Sequence, residues 1–379
     1  MSGSEVKSIN GKIIIMGDYH FGVRRFNIES LKDQLSFIDN EVIPYMEKNN
    51  INIIFQLGDL FDNRTSVDII FMEYLKKNFF DKLKEKNIIL YTLLGNHDIA
   101  HRESRSVSLS NFFEDLYPEN FYVFKHRESI IINGNSTYIV PWIVKDEDLT
   151  YEEIKNHHNI FGHFEIRHFT MVKGHKDSTA KLTVDFFTKN TNVRNVFSGH
   201  YHIKDTSGLV KYLGTPWQLN WSDYEEQKGF YVFHEDDFLE FYENKSSKKY
   251  IKVKYNDDKD KEKHIEVCGL YEHPKLMTDE EFYKITDELK NHEVKFFINE
   301  SKDRHFDEIL YNTKDELQCT VIDNQEISEI IGADYIEEEN VNIDDTRTFI
   351  IESIKEEKPE LIKLFTKILE DIDSSTNIK

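Results

Sequence analysis

Five short segments bring together residue types that can ligate cations: Gly17-Asp18-Tyr19-His20, Gly58-Asp59-Leu60-Phe61-Asp62, Gly95-Asn96-His97-Asp98, Gly162-His163 and Gly199-His200-Tyr201-His202. Mixed Asp, Asn and neutral His suit manganese, iron or zinc, whereas oxygen ligands alone would suit magnesium or calcium better. A carboxylate can bridge two cations and hold them about 3.5–4 Å apart. Such a pair clamps a phosphate and makes bound water acidic enough to attack at neutral pH. In Asp-x-His and His-x-His an extended chain turns the middle residue away, so both named side chains face one ion. Each motif alone is weak: a Gly-Asp is usually a turn, and Asn-His-Asp can begin a helix. Together, in this order, chance is a poor explanation.

These residues need elements to position them. Each motif follows a short apolar, β-rich run and carries a Gly that lets the backbone turn as the strand ends. The runs are at 12–16, 51–57, 88–94, 129–132, 137–140, 159–161, 193–197, 209–213 and 229–234. Helical stretches at 28–48 and 67–86 separate the early ones. Alternating strands and helices, then consecutive strands, predict an α/β fold, a mixed two-sheet sandwich with helices outside. Ligands at the carboxyl ends of its strands can converge on one crevice.

The chain has 379 residues, a formal net charge of −22 and two cysteines, Cys268 and Cys319. The length predicts one large or two medium domains. The cysteines exclude a disulfide framework and point to a reducing compartment. No run is long and apolar enough for a transmembrane helix, and the N-terminus lacks an export signal, so no membrane association and a cytoplasmic location are expected. The charge argues against a surface that grips nucleic acid all over, but not against a nuclease whose cations meet the phosphate. It is uneven: residues 241–379 hold 35 acidic and 21 basic residues. The expected organisation is a core at 12–240, a connector containing a strand at 244–263 and a small αβ unit completing 244–325. An acidic linker at 335–345 and two short amphipathic helices at 346–371 follow.

The motif series resembles the calcineurin-like metallophosphoesterase superfamily over residues 12–234. That resemblance implies a two-sheet sandwich flanked by helices. It implies one metal held by Asp18, His20 and His202, another by Asn96, His163 and His200, and Asp59 bridging them. His97 would be the general acid or phosphate-orienting residue, held by Asp98.

Further motifs are similar to one branch, the DNA-repair nucleases of the SbcD type, which include recombination endonuclease subunits of T-even phages. These are Gly58-Asp59-Leu60-Phe61-Asp62 with Arg64, Ile139-Val140-Pro141-Trp142, Phe161-Gly162-His163-Phe164-Glu165 and Tyr212-Leu213-Gly214-Thr215-Pro216-Trp217. The branch implies manganese, with magnesium as the alternative, and action on DNA as a double-strand 3′–5′ exonuclease and single-strand endonuclease. It implies a capping domain at 244–325, a helical hairpin at 346–371 that binds an SMC-like coiled-coil ATPase, and a homodimer through helices within 67–117. The setting would be a bacterial cytoplasm or a phage-infected cell.

Arg24, Arg25 and Arg64 could meet DNA phosphates, the alternative being surface solvation. Some relatives carry a His at the position of Asp62; an Asp there suits support of a metal ligand or of His97. Trp217 and Trp221 could stack on a base, but core packing fits better. The lysines at 245–254 are a DNA-facing strip or a solvated linker. Two rival functions remain: a protein phosphatase or small phosphodiesterase, which the acidic charge favours, and a catalytically silent scaffold for the ATPase.

Overall fold

The computed structural model describes residues 7–101, 104–144, 147–255, 265–298, 309, 313 and 320–323. The chain divides into two compact units, Met1–Asn324 and Gln325–Lys379. The acidic linker and the hairpin expected at 346–371 lie in the second unit, outside the described residues.

The first unit is built on a sandwich of two sheets. One has six strands in the order Leu239–Glu243, Gly229–Phe233, Ile13–Met16, Ile53–Gln56, Ile89–Leu93 and Phe121–Phe124. The other has seven, in the order Ser8–Ile9, Glu128–Ile132, Asn135–Val140, Asn159–His163, Asn195–Gly199, Val210–Tyr212 and Asp205–Ser207. The middle strands run parallel in both: Ile13–Met16, Ile53–Gln56 and Ile89–Leu93 in one, Asn135–Val140, Asn159–His163 and Asn195–Gly199 in the other.

Continuous apolar runs make such strands because both faces are buried. Along Ile13–Met16, Ile13 and Ile15 point between the sheets, while Ile14 and Met16 point to the outer helices. Phe55, Phe161, Phe197 and Phe233 fill the space between the sheets. The outer face of the six-stranded sheet is covered by a helix spanning Ile28–Phe37, Ile38–Val42 and Ile43–Asn49, and a second spanning Ile69–Leu75, Lys76–Phe80 and Asp81–Glu85. The middle piece of each is a π-helical turn that shifts the buried face without breaking the helix. Asn27 and Asp68 cap their starts through Ser30 and Phe71. The helices Tyr151–Ile154 and Val184–Thr188 contribute Ile154 and Phe187 to the core outside the other sheet.

A smaller five-stranded sheet follows, in the order Lys275–Met277, Ile265–Cys268, Tyr250–Tyr255, Glu293–Ile298 and Thr320–Asp323. Its helix Asp279–Tyr283 starts in a capping box of Thr278 and Glu281. The described part of the stretch expected as a connector, 244–255, is tied down. Asn244 donates to the Pro216 carbonyl, and Tyr250–Tyr255 is the central strand of the small sheet. The small sheet and the sandwich belong to the same unit.

Phe161 has no exposure to water, and its ring centre lies 5.5 Å from that of Phe55 and 5.4 Å from that of Phe197. Phe161→Ala is expected to cost about 3–5 kcal/mol of stability, read from the denaturation midpoint. A loss below about 1 kcal/mol would contradict a tightly filled inter-sheet core.

Candidate metal centre

The parallel strands of both sheets point their carboxyl ends to one place. The turn after Ile13–Met16 carries Asp18 and His20, that after Ile53–Gln56 carries Asp59, and that after Ile89–Leu93 carries Asn96 and His97. From the other sheet, Asn159–His163 ends on His163, and Asn195–Gly199 leads into His200 and His202. Backbone bonds tie the turns together: the amides of Tyr19 and His20 both donate to the Asp59 carbonyl, at 3.1 and 3.0 Å.

Three groups of possible ligands result, each with its ligand atoms within 4.8 Å of one another: Asp18, His20 and His202 form the first, Asp59, His163 and His200 the second, and Asp62 and His97 make a third that shares His20 with the first. Asn96 joins the second: its Oδ1 lies 2.9 Å from His163 Nε2 and 3.0 Å from His200 Nδ1. Asp59 stands between the first two groups, its Oδ2 3.3 Å from His163 Nε2 and 3.8 Å from His20 Nε2. Asp18 also accepts the His200 amide through both oxygens, at 3.1 and 2.9 Å.

His20 Nε2 and His202 Nε2 are 3.0 Å apart. Two imidazole nitrogens approach that closely only with a proton or a cation between them. The second group is equally close, with one end of the Asn96 amide set between two imidazole nitrogens. The donor set therefore fits a pair of divalent cations, and its wealth of imidazole suits a transition metal.

Supporting contacts fix which nitrogen each ring offers. His163 Nδ1 donates to the Leu57 carbonyl at 2.8 Å, leaving Nε2 for the centre. His20 Nδ1 lies 3.1 Å from the Asp62 carboxylate, leaving its Nε2 likewise. His200 faces Asn96 with Nδ1, and Glu165 Oε1 lies 3.4 Å from its Nε2.

Three of the ligands, His20, Asp59 and His200, adopt left-handed backbone at φ of 49°, 53° and 91°. Such strain costs on the order of 1–3 kcal/mol per residue and persists where surrounding structure imposes it. Two glycines answer a different need from the turning the sequence suggested. A Cβ on Gly95 would lie 2.1 Å from Asp59 Oδ1, and one on Gly199 would lie 2.3 Å from Asp18 Oδ1. Both allow the backbone to pass against a ligand carboxylate.

The residues expected from sequence separate into those gathered here and those placed elsewhere. Asp18, His20, Asp59, Asn96, His163, His200 and His202 converge. His200 and His202 do not face the same group, as alternation along an extended chain predicts. The left-handed turn at His200 breaks that alternation, and Tyr201 turns inward to donate to Asp177 at 2.6 Å.

His97 lies beside the first group, 4.9 Å from His20 between ring centres. Asp98 does not hold it. The Gly95-Asn96-His97-Asp98 turn folds the Asp98 carboxylate back to accept the amides of Gly95 and Phe61, at 2.9 and 3.1 Å. His97 Nδ1 is held instead by the Asp62 carbonyl at 2.8 Å, so Asp62 steadies one histidine with its side chain and another with its backbone.

Arg64 lies 3.2 Å from the Asn96 amide. Arg24 pairs with Glu293 of the small sheet at 3.0 Å and bonds Tyr250, because Arg24, Arg25 and Phe26 make a left-handed turn. Trp217 is buried and Trp221 packs on Tyr250, so both are structural. In the basic run, Lys252 lies 3.9 Å from the Tyr224 ring centre and Lys254 pairs with Glu266 at 2.9 Å.

Sequence reasoning assigned no role to Glu165, although His163-x-Glu165 spacing was a usable signal. It could not foresee the Leu57 carbonyl, because a backbone acceptor has no residue signature.

Charge in this buried space is sharply divided. Burial pushes Asp18 up to about 7, against the pull of His163. Burial also acts on Asp59, but His163 and His97 outweigh it and hold the carboxyl well below its usual range. Burial opposes protonation of His20 and His163, yet Asp62 and Asp59 raise the first and Asp59 and Asp18 the second, each to about 9. Burial lowers His97, and burial with the nearby His20 lowers His202 strongly. Without metal, His20 and His163 thus hold protons at pH 7, where His97 and His202 are neutral.

A cation needs the imidazoles deprotonated, so loading the centre displaces these protons. Manganese binding is expected to release protons at pH 7 and to tighten as pH rises toward about 9. For the metal-free fold the sign is opposite: both histidines are raised from 6.5, so their stabilisation is full below 6.5 and is lost as pH rises through about 9. Calorimetry in buffers of different ionisation heat reads the first, and melting against pH the second. Binding without proton release would contradict the assignment.

The comparisons with known proteins agree with this geometry. Residues 11–204 match the family model described as calcineurin-like phosphoesterase. Exonuclease subunit 1 of Enterobacteria phage T4 is 30% identical over 240 residues, 62% of this chain and 68% of that one. The DNA double-strand break repair protein Mre11 of Methanococcus maripaludis is 23% identical over 58% of this chain and 62% of its own length. The protein of the same name from Saccharolobus solfataricus is 24% identical over 35% and 33%. The alignments span less than two thirds of either archaeal protein. With these ligand groups in place and just over half its length matched, the chain belongs to the calcineurin-like phosphoesterases and is a metal-dependent phosphoester hydrolase.

Proposed function

We propose that the chain is a manganese-dependent DNA nuclease of a double-strand-break repair or recombination complex. The observation that carries this reading is the pair of ligand groups sharing Asp59, in a chain whose relatives are named as an exonuclease subunit and as break-repair proteins. Asp18, His20 and His202 would hold one cation, Asn96, His163 and His200 the other, with Asp59 common to both. Two cations so held would polarise a phosphodiester and lower the pKa of a water, supplying a nucleophile at neutral pH. Manganese fits imidazole-rich ligation better than magnesium does.

The chain's own residues supply the remaining work. His97 Nδ1 is committed to the Asp62 carbonyl, and its Nε2 makes no hydrogen bond among the described residues. That nitrogen is therefore the one that meets substrate. Burial keeps the ring neutral at pH 7, so it accepts a hydrogen bond until, with the phosphate's negative charge beside it, it takes up a proton from solvent. The protonated ring then donates to the leaving oxygen. Arg64, beside Asn96, is placed to bind a neighbouring phosphate.

By resemblance, the activities are double-strand 3′–5′ exonuclease and single-strand endonuclease, and the partner is an SMC-like coiled-coil ATPase bound through residues 346–371. Homodimerisation rests on the described residues as well. The helices Ile69–Leu75 and Leu109–Leu116 bury Phe71, Leu75 and Phe113 but leave Ile69 83%, Ile70 73% and Phe112 56% exposed. Single exposed apolar residues are ordinary, but several on adjoining elements mark an interaction face.

The purified chain with manganese is expected to cleave an end-labelled duplex. His97→Ala is expected to lower the rate about 10²–10⁴-fold while metal binding persists. Turnover of p-nitrophenyl phosphate with every DNA form left intact, even with an ATPase partner present, would favour the phosphatase reading. For the dimer, sedimentation should show Ile69→Glu/Ile70→Glu as a monomer where the wild type is a dimer. A wild type that is monomeric at micromolar concentration would overturn that part.

A further inference from the structure

One motif has no part in the chemistry above: the Gly214-Thr215-Pro216-Trp217 turn. It lies between the two loops that bear the first ligand group. On one side the indole N–H of Trp217 donates to the Tyr19 carbonyl at 3.1 Å, and Tyr19 separates Asp18 from His20. The Trp217 ring is buried against Tyr19 and Phe21, with centres 5.2 and 6.0 Å away. Gly17 touches the same turn, since a Cβ there would lie 2.0 Å from the Gly214 carbonyl oxygen. On the other side the Thr215 amide donates to the His202 carbonyl at 3.1 Å.

A buried charge completes the arrangement. Lys228 is only 4% exposed, and its Nζ donates to that same His202 carbonyl at 2.7 Å. Asp223, 1% exposed, neutralises it at 2.6 Å and also accepts the Leu219 amide at 2.8 Å. A lysine this deep is rare unless paired. Here the pairing directs its remaining hydrogen-bonding capacity at the backbone of a ligand. The second group is supported differently, by the Leu57 carbonyl on His163 and by Glu165 beside His200.

We propose that Trp217 and Lys228 are positioning residues chiefly for one cation, setting the loop of Asp18 and His20 against His202, while the cation of Asn96, His163 and His200 feels them only through the Asp18 contact to the His200 amide and the loop's bonds to the Asp59 carbonyl. This deepens the two-cation reading and rests on it. Neither residue touches the metal or the substrate. Each acts through a backbone carbonyl, so loss of its N–H lets the ligand loop relax and weakens chiefly one site. Outer contacts of metal ligands are typically worth 10–100-fold in affinity.

The test is manganese stoichiometry on the full-length chain, by equilibrium dialysis and electron paramagnetic resonance. The variants are Trp217→Phe and the double variant Lys228→Met/Asp223→Asn, which leaves no lone buried charge. Wild type is expected to bind two ions with a coupled two-ion signal. Each variant should bind one ion about 10–100-fold more weakly and the other with a clearly smaller loss, giving a mononuclear signal at intermediate manganese. Adding Asn96→Ala should then weaken the remaining ion, whereas Asn96→Ala alone should spare the first. For DNA cleavage, kcat should fall with KM near its wild-type value, and Lys228→Arg should restore both ions.

Two ions bound at wild-type affinity in the variants would overturn the proposal, as would equal weakening of both. A wild type that binds a single ion would overturn the two-cation reading and this inference with it. Should the double variant fail to fold, Trp217→Phe carries the test alone, since it keeps an aromatic ring and removes the donor.

Discussion

A carboxylate shut away from water, as Asp59 is, keeps its charge only when positive charge surrounds it. In this fold the protonated His20 and His163 supply that charge, or cations would. The constraint runs both ways. His20 and His163 sit deep enough that burial alone would strip their protons, and the carboxylates prevent it. Ligands from five separate loops are therefore bound to one another electrostatically before any substrate arrives. Divalent cations held by these residues would take the place of those protons. The fold is in this sense built around a charge it does not itself contain.

Holding those loops together demands rigid supports. Left-handed backbone at His20, Asp59 and His200 is unfavourable in isolation. It persists because each loop leaves the carboxyl end of a parallel strand fixed by a filled core on both faces. Glycine at 95 and 199 then lets the backbone lie against the Asp59 and Asp18 carboxylates, where any side chain would collide. The small sheet joins the same system through Tyr250, which donates to the Leu219 carbonyl at 2.8 Å, bonds Arg24 and packs on Trp221. Strain at the centre is thus offset by burial at a distance from it.

Much of this was legible in the residues. Each apolar run became a strand, although the run at 193–197 begins its strand later, at Asn195. The helices at 28–48 and 67–86 are present, each with an unforeseen π-helical turn. The ligand set was readable because chemistry restricts residue type: only a few side chains bind a transition metal, and they stand directly after strands. Strands lacking a strong pattern were missed. Leu239–Glu243 is an edge strand, half-buried throughout, and Phe121–Phe124 follows its helix too closely to stand out. Orientation was the other limit. Asp98 ties backbone amides instead of holding His97, and Asp62 acts partly through its carbonyl. Backbone acceptors carry no residue code, and a positive φ at His200 cannot be read from the letters around it. Among the described residues no helix is long and apolar enough to cross a membrane.

The central claim is that two cations share Asp59 between separate ligand groups. Anomalous X-ray scattering at the manganese edge, from crystals grown with manganese, tests it most directly. The account predicts two peaks, one among Asp18, His20 and His202 and one among Asn96, His163 and His200, each within bonding distance of Asp59. A single peak, or two peaks that do not both touch Asp59, would contradict it.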